Sequence, residues 1–500
     1  MTSGAGEPTP SLTRNTVLNL IGLAAPLLVA LFAIPVLTRE LGTDRFGILT
    51  LAWVILGYFS LFDLGVGRAI TQIVSGQLSR GQIGAIPDLV WTALGLMLLL
   101  GIAAAVACAA ASSWLVQVLR VPEELRAETL QSFYLLAVSI PVVMVTTGLR
   151  GILEAVQRFD LVTWIRAPLG VFTYLGPLLV LPFARGLVPV IAVLIAVRVA
   201  ALGVHWLMCR RVMPSLQEKP RFHTNLVSRL LKLGSWISVS NLVGPLLVNA
   251  DRFVLGSLIS VSVVAFYTVP FELATKVLLL PGALAGVLFP AFAGTYDTDR
   301  SRSSRLFSQG MKVTWLVLFP IILLLVAFAH ELLFLWMGAD FASRSTRVLQ
   351  WLAAGVLINS LAQIPFALVQ GAGRPDLTAK LHLAELPFYF VGLWFLIHRF
   401  GVDGAAMAWT LRAAVDGLVL VLLAWRPLGF TLTPLRRLGA VALVGLFALA
   451  TVNVLGEPAA RAFAAGLLIV LFSGIGWWWL FSDEERPRVR KRVATLFARN

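Results

Sequence analysis

The chain is a succession of long apolar runs separated by short polar breaks. A helix needs about 20 mostly apolar residues to cross the hydrocarbon of a bilayer, and about fourteen runs reach that length. Their limits are 15–38, 46–75, 86–118, 129–150, 160–183, 187–209, 229–256, 260–293, 311–337, 347–371, 377–398, 403–425, 437–455 and 460–481. The pattern predicts an all-α integral membrane protein. Residues 42–45 leave the first hairpin almost no room, and the longest outer connection, Gly338 to Arg347, is about ten residues, a typical helix–helix loop. Neither leaves space for a catalytic domain outside the membrane. Residues 1–14 are polar and read as a short disordered tail. The first span follows without a small-residue cleavage site and is expected to be retained. Prolines inside the spans, among them Pro26, Pro35, Pro141, Pro168, Pro281, Pro365 and Pro387, remove backbone donors and favour bent helices.

Composition adds to this picture. With 58% hydrophobic and 13% charged residues, the chain is not a soluble enzyme. The net charge of +15 would suggest nucleic acid, but its distribution argues otherwise. With the amino terminus placed in the cytoplasm, roughly 26 of the Lys and Arg residues fall at cytoplasmic ends and about 10 at outer ends, as the positive-inside rule requires. The main clusters are Arg210 to Lys232, Arg300 to Lys312 and Arg486 to Arg492. An even number of spans puts both termini in the cytoplasm, and the predicted location is the cytoplasmic (inner) membrane. Trp477, Trp478 and Trp479 read as an interfacial belt, with the basic run after them lying on anionic lipid. Cys108 and Cys209 have no metal spacing and imply neither a disulfide framework nor a zinc site. No phosphate loop or other nucleotide motif is present, and no cofactor is expected.

An internal repeat organises the spans. Phe62-Asp63-Leu64-Gly65-Val66-Gly67-Arg68 is echoed by Phe271-Glu272-Leu273-Ala274-Thr275-Lys276. Arg39 before Leu41-Gly42 answers Arg252 before Leu255-Gly256. Arg158-Phe159-Asp160-Leu161 answers Arg374-Pro375-Asp376-Leu377, and Arg198 answers Arg412. The near-constant offset marks a duplication of six spans, and an even number makes the copies parallel. The expected organisation is a tail at 1–14, an N-lobe at 15–210, a linker at 211–228, a C-lobe at 229–426, two additional helices at 427–481 and a basic cytoplasmic tail at 482–500.

These motifs carry a resemblance. The Arg39–Gly47 hairpin, Asp63-Leu64-Gly65, Gln157-Arg158-Phe159-Asp160, Gly371-Ala372-Gly373-Arg374 and Gly401-Val402-Asp403-Gly404 are similar to the polysaccharide biosynthesis branch of the multidrug/oligosaccharidyl-lipid/polysaccharide exporter superfamily. That branch includes O-antigen-type flippases serving lipopolysaccharide and related cell-envelope glycans. The resemblance covers about residues 15–426. It implies two pseudo-symmetric six-helix lobes in a V around a central cavity, working by alternating access. The two additional helices are similar to those of lipid II flippases.

The charged residues within the spans are the candidates for function. A polyprenyl-diphosphate-linked glycan must take its diphosphate across about 30 Å of hydrocarbon. Arg and Lys lower that cost through charge-assisted bonds. Arg68, Arg198, Lys276 and Arg412 lie within spans as two repeat-related pairs. Arg166 and Lys380 lie a little way into their spans, Arg150 ends the fourth, and Arg39 and Arg252 are expected near the outer mouth. These nine form the predicted substrate-binding ladder. The structural alternative is that each base pairs with an acid or snorkels to the interface. Glu272 stands four residues from Lys276, the favourable helical spacing. Asp63, Glu272, Asp251 and Asp416 are candidates for coupling transport to protons or sodium. His382, beside Lys380, is the one histidine placed where titration would matter.

The expected function is a flippase of a polyprenyl-diphosphate-linked oligosaccharide. The expected partners are that glycan, membrane lipids, and a polysaccharide polymerase or glycosyltransferases, with no nucleic acid. The alternatives are a lipid II flippase and a cation-coupled multidrug exporter, the latter calling for an acidic or aromatic pocket. A polymerase or ligase would need a long outer loop.

Overall fold

The computed structural model describes residues 12–59, 65–217 except 83 and 85, 222–425, and most of 439–478. The described residues form helices with no strand among them, and nine helical stretches are long and apolar enough to cross a membrane. Two compact units emerge, residues 1–265 and 266–500.

In the first unit, α1 (Leu12–Tyr58) runs through the first predicted span and into the second, whose later part is in α2. The expected loop at 42–45 is instead a break at one residue, Gly42, with φ +78°. That value lies in the region only glycine enters cheaply. Then come α2 (Val66–Ser79), α3 (Ile86–Val118), α4 (Glu123–Ala155), α5 (Phe159–Val180), α6 (Leu187–Val212) and α7 (Thr224–Leu258). Helix α4 is the hub, packing on α1, α2, α3, α5 and α6. At the α2–α4 contact the Thr71 hydroxyl donates to the Gly151 carbonyl at 3.0 Å. A Cβ on Gly151 would lie 2.6 Å from the Gly67 carbonyl oxygen, so this crossing needs a residue without one. Helix α7 packs on α2 and α3.

In the second unit, α8 (Val261–Thr275) leads through a 3₁₀ turn, Lys276–Leu278, into α9 (Leu279–Thr295). Next are α10 (Arg300–Ala327), α11 (Ala329–Met337), α12 (Ala339–Gly371), α13 (Pro375–Phe400) and α14 (Val402–Trp425). The last described helix is α15 (Pro458–Ile475). Here α12 is the hub, against α9, α10, α11, α13 and α14. Helices α4 and α12 are each 33 residues long and start 216 residues apart, the same offset as Arg158 to Arg374. The duplication read from the motifs is thus a duplication of helix roles.

Two of these expectations need correction. The span at 311–337 is two helices, because the chain turns at Phe328 between α10 and α11. The loop expected from Gly338 to Arg347 is almost absent: Gly338, at φ +91°, makes the turn alone and α12 begins at Ala339. The span at 260–293 holds as one apolar helical stretch, Val261–Thr295, with the 3₁₀ turn inside it. In both copies, then, a helix boundary falls beside the echoed charged phrase. Helix α2 starts after a left-handed Gly65, and α8 ends where Lys276 begins the turn. Mid-span 3₁₀ geometry marks hinges and strained sequence.

Of the two additional helices expected, α15 is described and belongs to the second unit. Arg461 on α15 forms a bidentate ion pair with Glu331 at 2.6 and 3.2 Å and donates to the Ala327 carbonyl at 3.0 Å. Phe472 packs on Phe319 of α10 with ring centroids 4.4 Å apart.

Candidate functional site

The sequence-predicted cations divide into bound and unbound groups. Lys276 donates to Glu272 at 2.7 Å, and the two side chains keep 39% and 27% exposure. This is the i, i+4 pair that the spacing predicts. Arg150 pairs with Glu154 at 3.4 Å, and Lys380 shares Asp376 with Arg374. Arg39, Arg68 and Arg166 are exposed and have no acid partner among the described residues. Arg198, half-buried on α6, donates to the Leu194 carbonyl at 2.9 Å and likewise has no acid among the described residues.

Arg252, unlike Arg39, is buried. It is 3% exposed, and its backbone N–H donates to the carboxylate of fully buried Asp251 at 2.8 Å. Tyr58 of α1, which shares a side-chain hydrogen bond with Asn249, stands in the field of both. The Tyr58–Asn249 bond brings the end of α1 to this part of α7, a contact that the local sequence around Arg252 does not disclose. Asp63 lies outside the described residues.

The most concentrated chemistry lies on α13 and α14. The one-residue turn at Gly401 folds the two helices against each other. His382, Glu385 and Tyr389 follow one another at helical spacing on α13, and Arg412 and Asp416 stand four apart on α14. Arg412 Nη1 is 3.8 Å from Glu385 Oε2, with 9% and 7% exposure. His382 Nε2 is 3.5 Å from Asp416 Oδ1, and the imidazole stacks on Phe366 of α12. The Arg412 guanidinium also lies 5.8 Å from the Tyr389 ring centroid, within cation–π range. Glu385 feels the charges of Asp416, Arg412 and His382 together. Arg412 Nε is buried with no hydrogen-bond partner among the described residues, while the Glu385 and Asp416 carboxyl groups lie close enough to share a hydrogen bond. A groove of about 290 Å³ opens onto Glu385 and Arg412 between Phe388 and Leu411.

Sequence reasoning named Arg412, Asp416 and His382 but missed Glu385. The available signal was a lone carboxylate at the middle of a span, which is costly unless it serves a purpose. The cluster has no counterpart in the first copy. At the offsets that align Arg158 with Arg374 and Arg198 with Arg412, the residues matching His382, Glu385 and Asp416 are Arg166, Leu169 and Leu202. Arg198 therefore keeps its guanidinium without the acids.

Comparison with known proteins gives a consistent result. The family described as "Polysaccharide biosynthesis protein" matches residues 12–296, more than half of the chain. An O-antigen transporter of Shigella flexneri is 28% identical over 411 residues, which cover 82% of this chain and 97% of that protein. Among solved structures, the lipid II flippase MurJ in an inward closed conformation superposes with a TM-score of 0.70 at 11% identity, over 92% of this chain and 99% of that one. An inward-facing multidrug resistance MATE family transporter of the MOP superfamily gives 0.68 at 14% identity, over 82% and 98%.

Proposed function

Because the chain belongs to the polysaccharide biosynthesis protein family, within the multidrug/oligosaccharidyl-lipid/polysaccharide exporter superfamily, we propose that it flips a polyprenyl-diphosphate-linked oligosaccharide across the cytoplasmic membrane. It is a multi-pass membrane transporter and not an enzyme. The observation that carries the reading of its cargo is the near full-length match to the O-antigen transporter. The glycan would serve a cell-envelope polysaccharide, and the transport would proceed by alternating access, with both termini in the cytoplasm.

Two sets of residues take separate tasks in this proposal. Arg68, Arg198 and Arg166 hold no acid among the described residues and are available to a diphosphate, with Arg39 and Arg150 toward the ends of their spans. In the second copy, Lys276 meets the cargo by exchanging Glu272 for phosphate oxygens, while Lys380 and Arg412 supply further positive charge. Arg252 acts from the interior, through Asp251 and the α1–α7 contact.

Coupling is assigned to the α13–α14 cluster. Glu385 and Asp416 bring two carboxylates to one permanent cation, Arg412. A proton on either acid or on His382 balances the charge, and a buried group must be balanced to remain in a low-dielectric span. Proton arrival and departure would then alter how tightly α13 and α14 hold together. Glu272 and Asp251 have basic neighbours in Lys276 and Arg252, which suits them to holding those bases in place.

The test is complementation of a host that lacks its own O-antigen flippase. Restored surface glycan supports the assignment. Rescue of growth in a host lacking its lipid II flippase, with no surface glycan restored, transfers the assignment to lipid II.

A further inference from the structure

Away from the charged cluster, the first unit contains an apolar groove of about 650 Å³ bounded by α3, α4 and α6. Trp91, Leu94 and Leu98 form one wall, Val145 and Leu149 the floor, and Val199 and Trp206 the other wall. Leu98 and Val199 are 45% and 48% exposed, so the groove opens at the protein surface. Trp91 and Trp206 meet edge to face at its inner end, with centroids 5.4 Å apart. Phe222, within the linker, closes that end and packs over Gly95.

The mouth is basic. The Arg210 guanidinium stands 6.0 Å from the Trp206 ring centroid, and Arg211 follows it. Neither has an acid partner among the described residues, whereas the nearby Asp88 is occupied by His223 at 3.0 Å. The guanidinium is thus held by an aromatic face, with its donors left for an oxyanion.

The dimensions select the occupant. From Arg210 to Val199 is 11 residues of helix, about 16 Å at 1.5 Å per residue, close to half of the roughly 30 Å hydrocarbon core. A groove one leaflet deep fits an ordinary acyl chain and is too short for a polyprenyl tail laid along it. The positive-inside bias puts the Arg210 end in the cytoplasm.

We propose that this groove binds an anionic phospholipid of the cytoplasmic leaflet, with one acyl chain between α3 and α6 against Phe222 and its phosphate on Arg210 and Arg211. Bound there, the lipid presses the end of the linker onto α3. The His223 backbone N–H, which donates to Thr92 Oγ1 at 3.0 Å, and the His223–Asp88 contact already hold it to that helix. The site rests on membrane residence alone and does not depend on the cargo.

The experiment measures retention of phosphatidylglycerol and phosphatidylcholine on the full-length protein by native mass spectrometry after reconstitution in nanodiscs. Phosphatidylglycerol is expected to remain bound and phosphatidylcholine to be lost. Replacing Arg210 and Arg211 with Gln should weaken phosphatidylglycerol retention by about 25-fold, from about fivefold per arginine near anionic lipid. Gly203→Phe should abolish retention by filling the groove, because a Cβ on Gly203 meets no atom within 4 Å and the backbone need not move. Leu98→Trp narrows the same groove from α3 and serves if the Gly203 variant does not fold. Equal retention of the two lipids, or full phosphatidylglycerol retention in a folded groove-filled variant, overturns the proposal. So does preferential displacement of phosphatidylglycerol by undecaprenyl phosphate, which would make the groove a cargo site.

Discussion

Arg412 and Glu385 face each other across α13 and α14 at 3.8 Å, each with less than a tenth of its side chain exposed. An ion pair this deep is a poor source of stability, because desolvating both charges offsets most of their attraction. Removing one partner is costly, because it leaves the other charge uncompensated. Arg412→Met should therefore destabilise the protein by about 3–5 kcal/mol. The double variant Arg412→Met/Glu385→Met should recover most of that loss. Thermal unfolding in one detergent measures both. A single variant as stable as wild type would show that the pair does not share one buried charge balance.

The surplus carboxylate makes a separate prediction about energy. Asp416→Asn and Glu385→Gln each bring the number of carboxylates level with the one permanent cation. Both should leave cargo binding intact while making translocation into proteoliposomes indifferent to an imposed pH gradient. Retained dependence on the gradient in both variants places coupling elsewhere. Dependence on sodium, with none on pH, replaces the proton with that ion.

Lys276 and Glu272 distinguish a cargo contact from a structural pair. Lys276→Ala and Arg68→Ala should abolish surface glycan in the complementation assay at unchanged protein levels. Glu272→Gln frees the ammonium and should preserve glycan display. A structural pair predicts the same loss from either side of it.

The clamp on the last helix is testable by stability alone. Arg461→Ala breaks a bidentate pair with Glu331 and a bond to the Ala327 carbonyl. Charge-assisted bonds of this kind contribute about 1.5–3 kcal/mol each. Hydrogen exchange in α15 should accelerate while exchange in α4 stays unchanged.

Outside the spans, Asp299 caps α10. Its carboxylate accepts from the Arg302 backbone N–H at 2.9 Å and from the Ser301 hydroxyl at 2.8 Å. These bonds hold it below the usual carboxylate range. A depressed folded-state value stabilises the fold above the unfolded pKa, and the contribution disappears as pH falls through the folded one. Exchange protection of the Arg302 amide should be constant near neutrality and decline in acid. Asp299→Asn should remove that acid dependence.

What the sequence disclosed follows the range of the forces involved. Glu272–Lys276 was legible because four residues of helix determine the contact. The duplication was legible because motif spacing survives as helix spacing, with α4 and α12 starting 216 residues apart. Glu385–Arg412 was not legible, since it depends on how α13 and α14 rotate against each other. The burial of Arg252 depends likewise on α1 and α7 closing around it. The split between α10 and α11 escaped notice because hydropathy continues smoothly across Phe328 while the backbone does not.

The acids of the α13–α14 cluster stand in only one of the two copies; at the matching positions the other has Arg166, Leu169 and Leu202. On the proposed division of tasks, the duplication kept cations for the cargo in both halves and left the acids of the engine to the later half alone. If the proposed coupling resides there, a descendant could adopt a different power source by changing three codons, with the cations of the earlier half undisturbed.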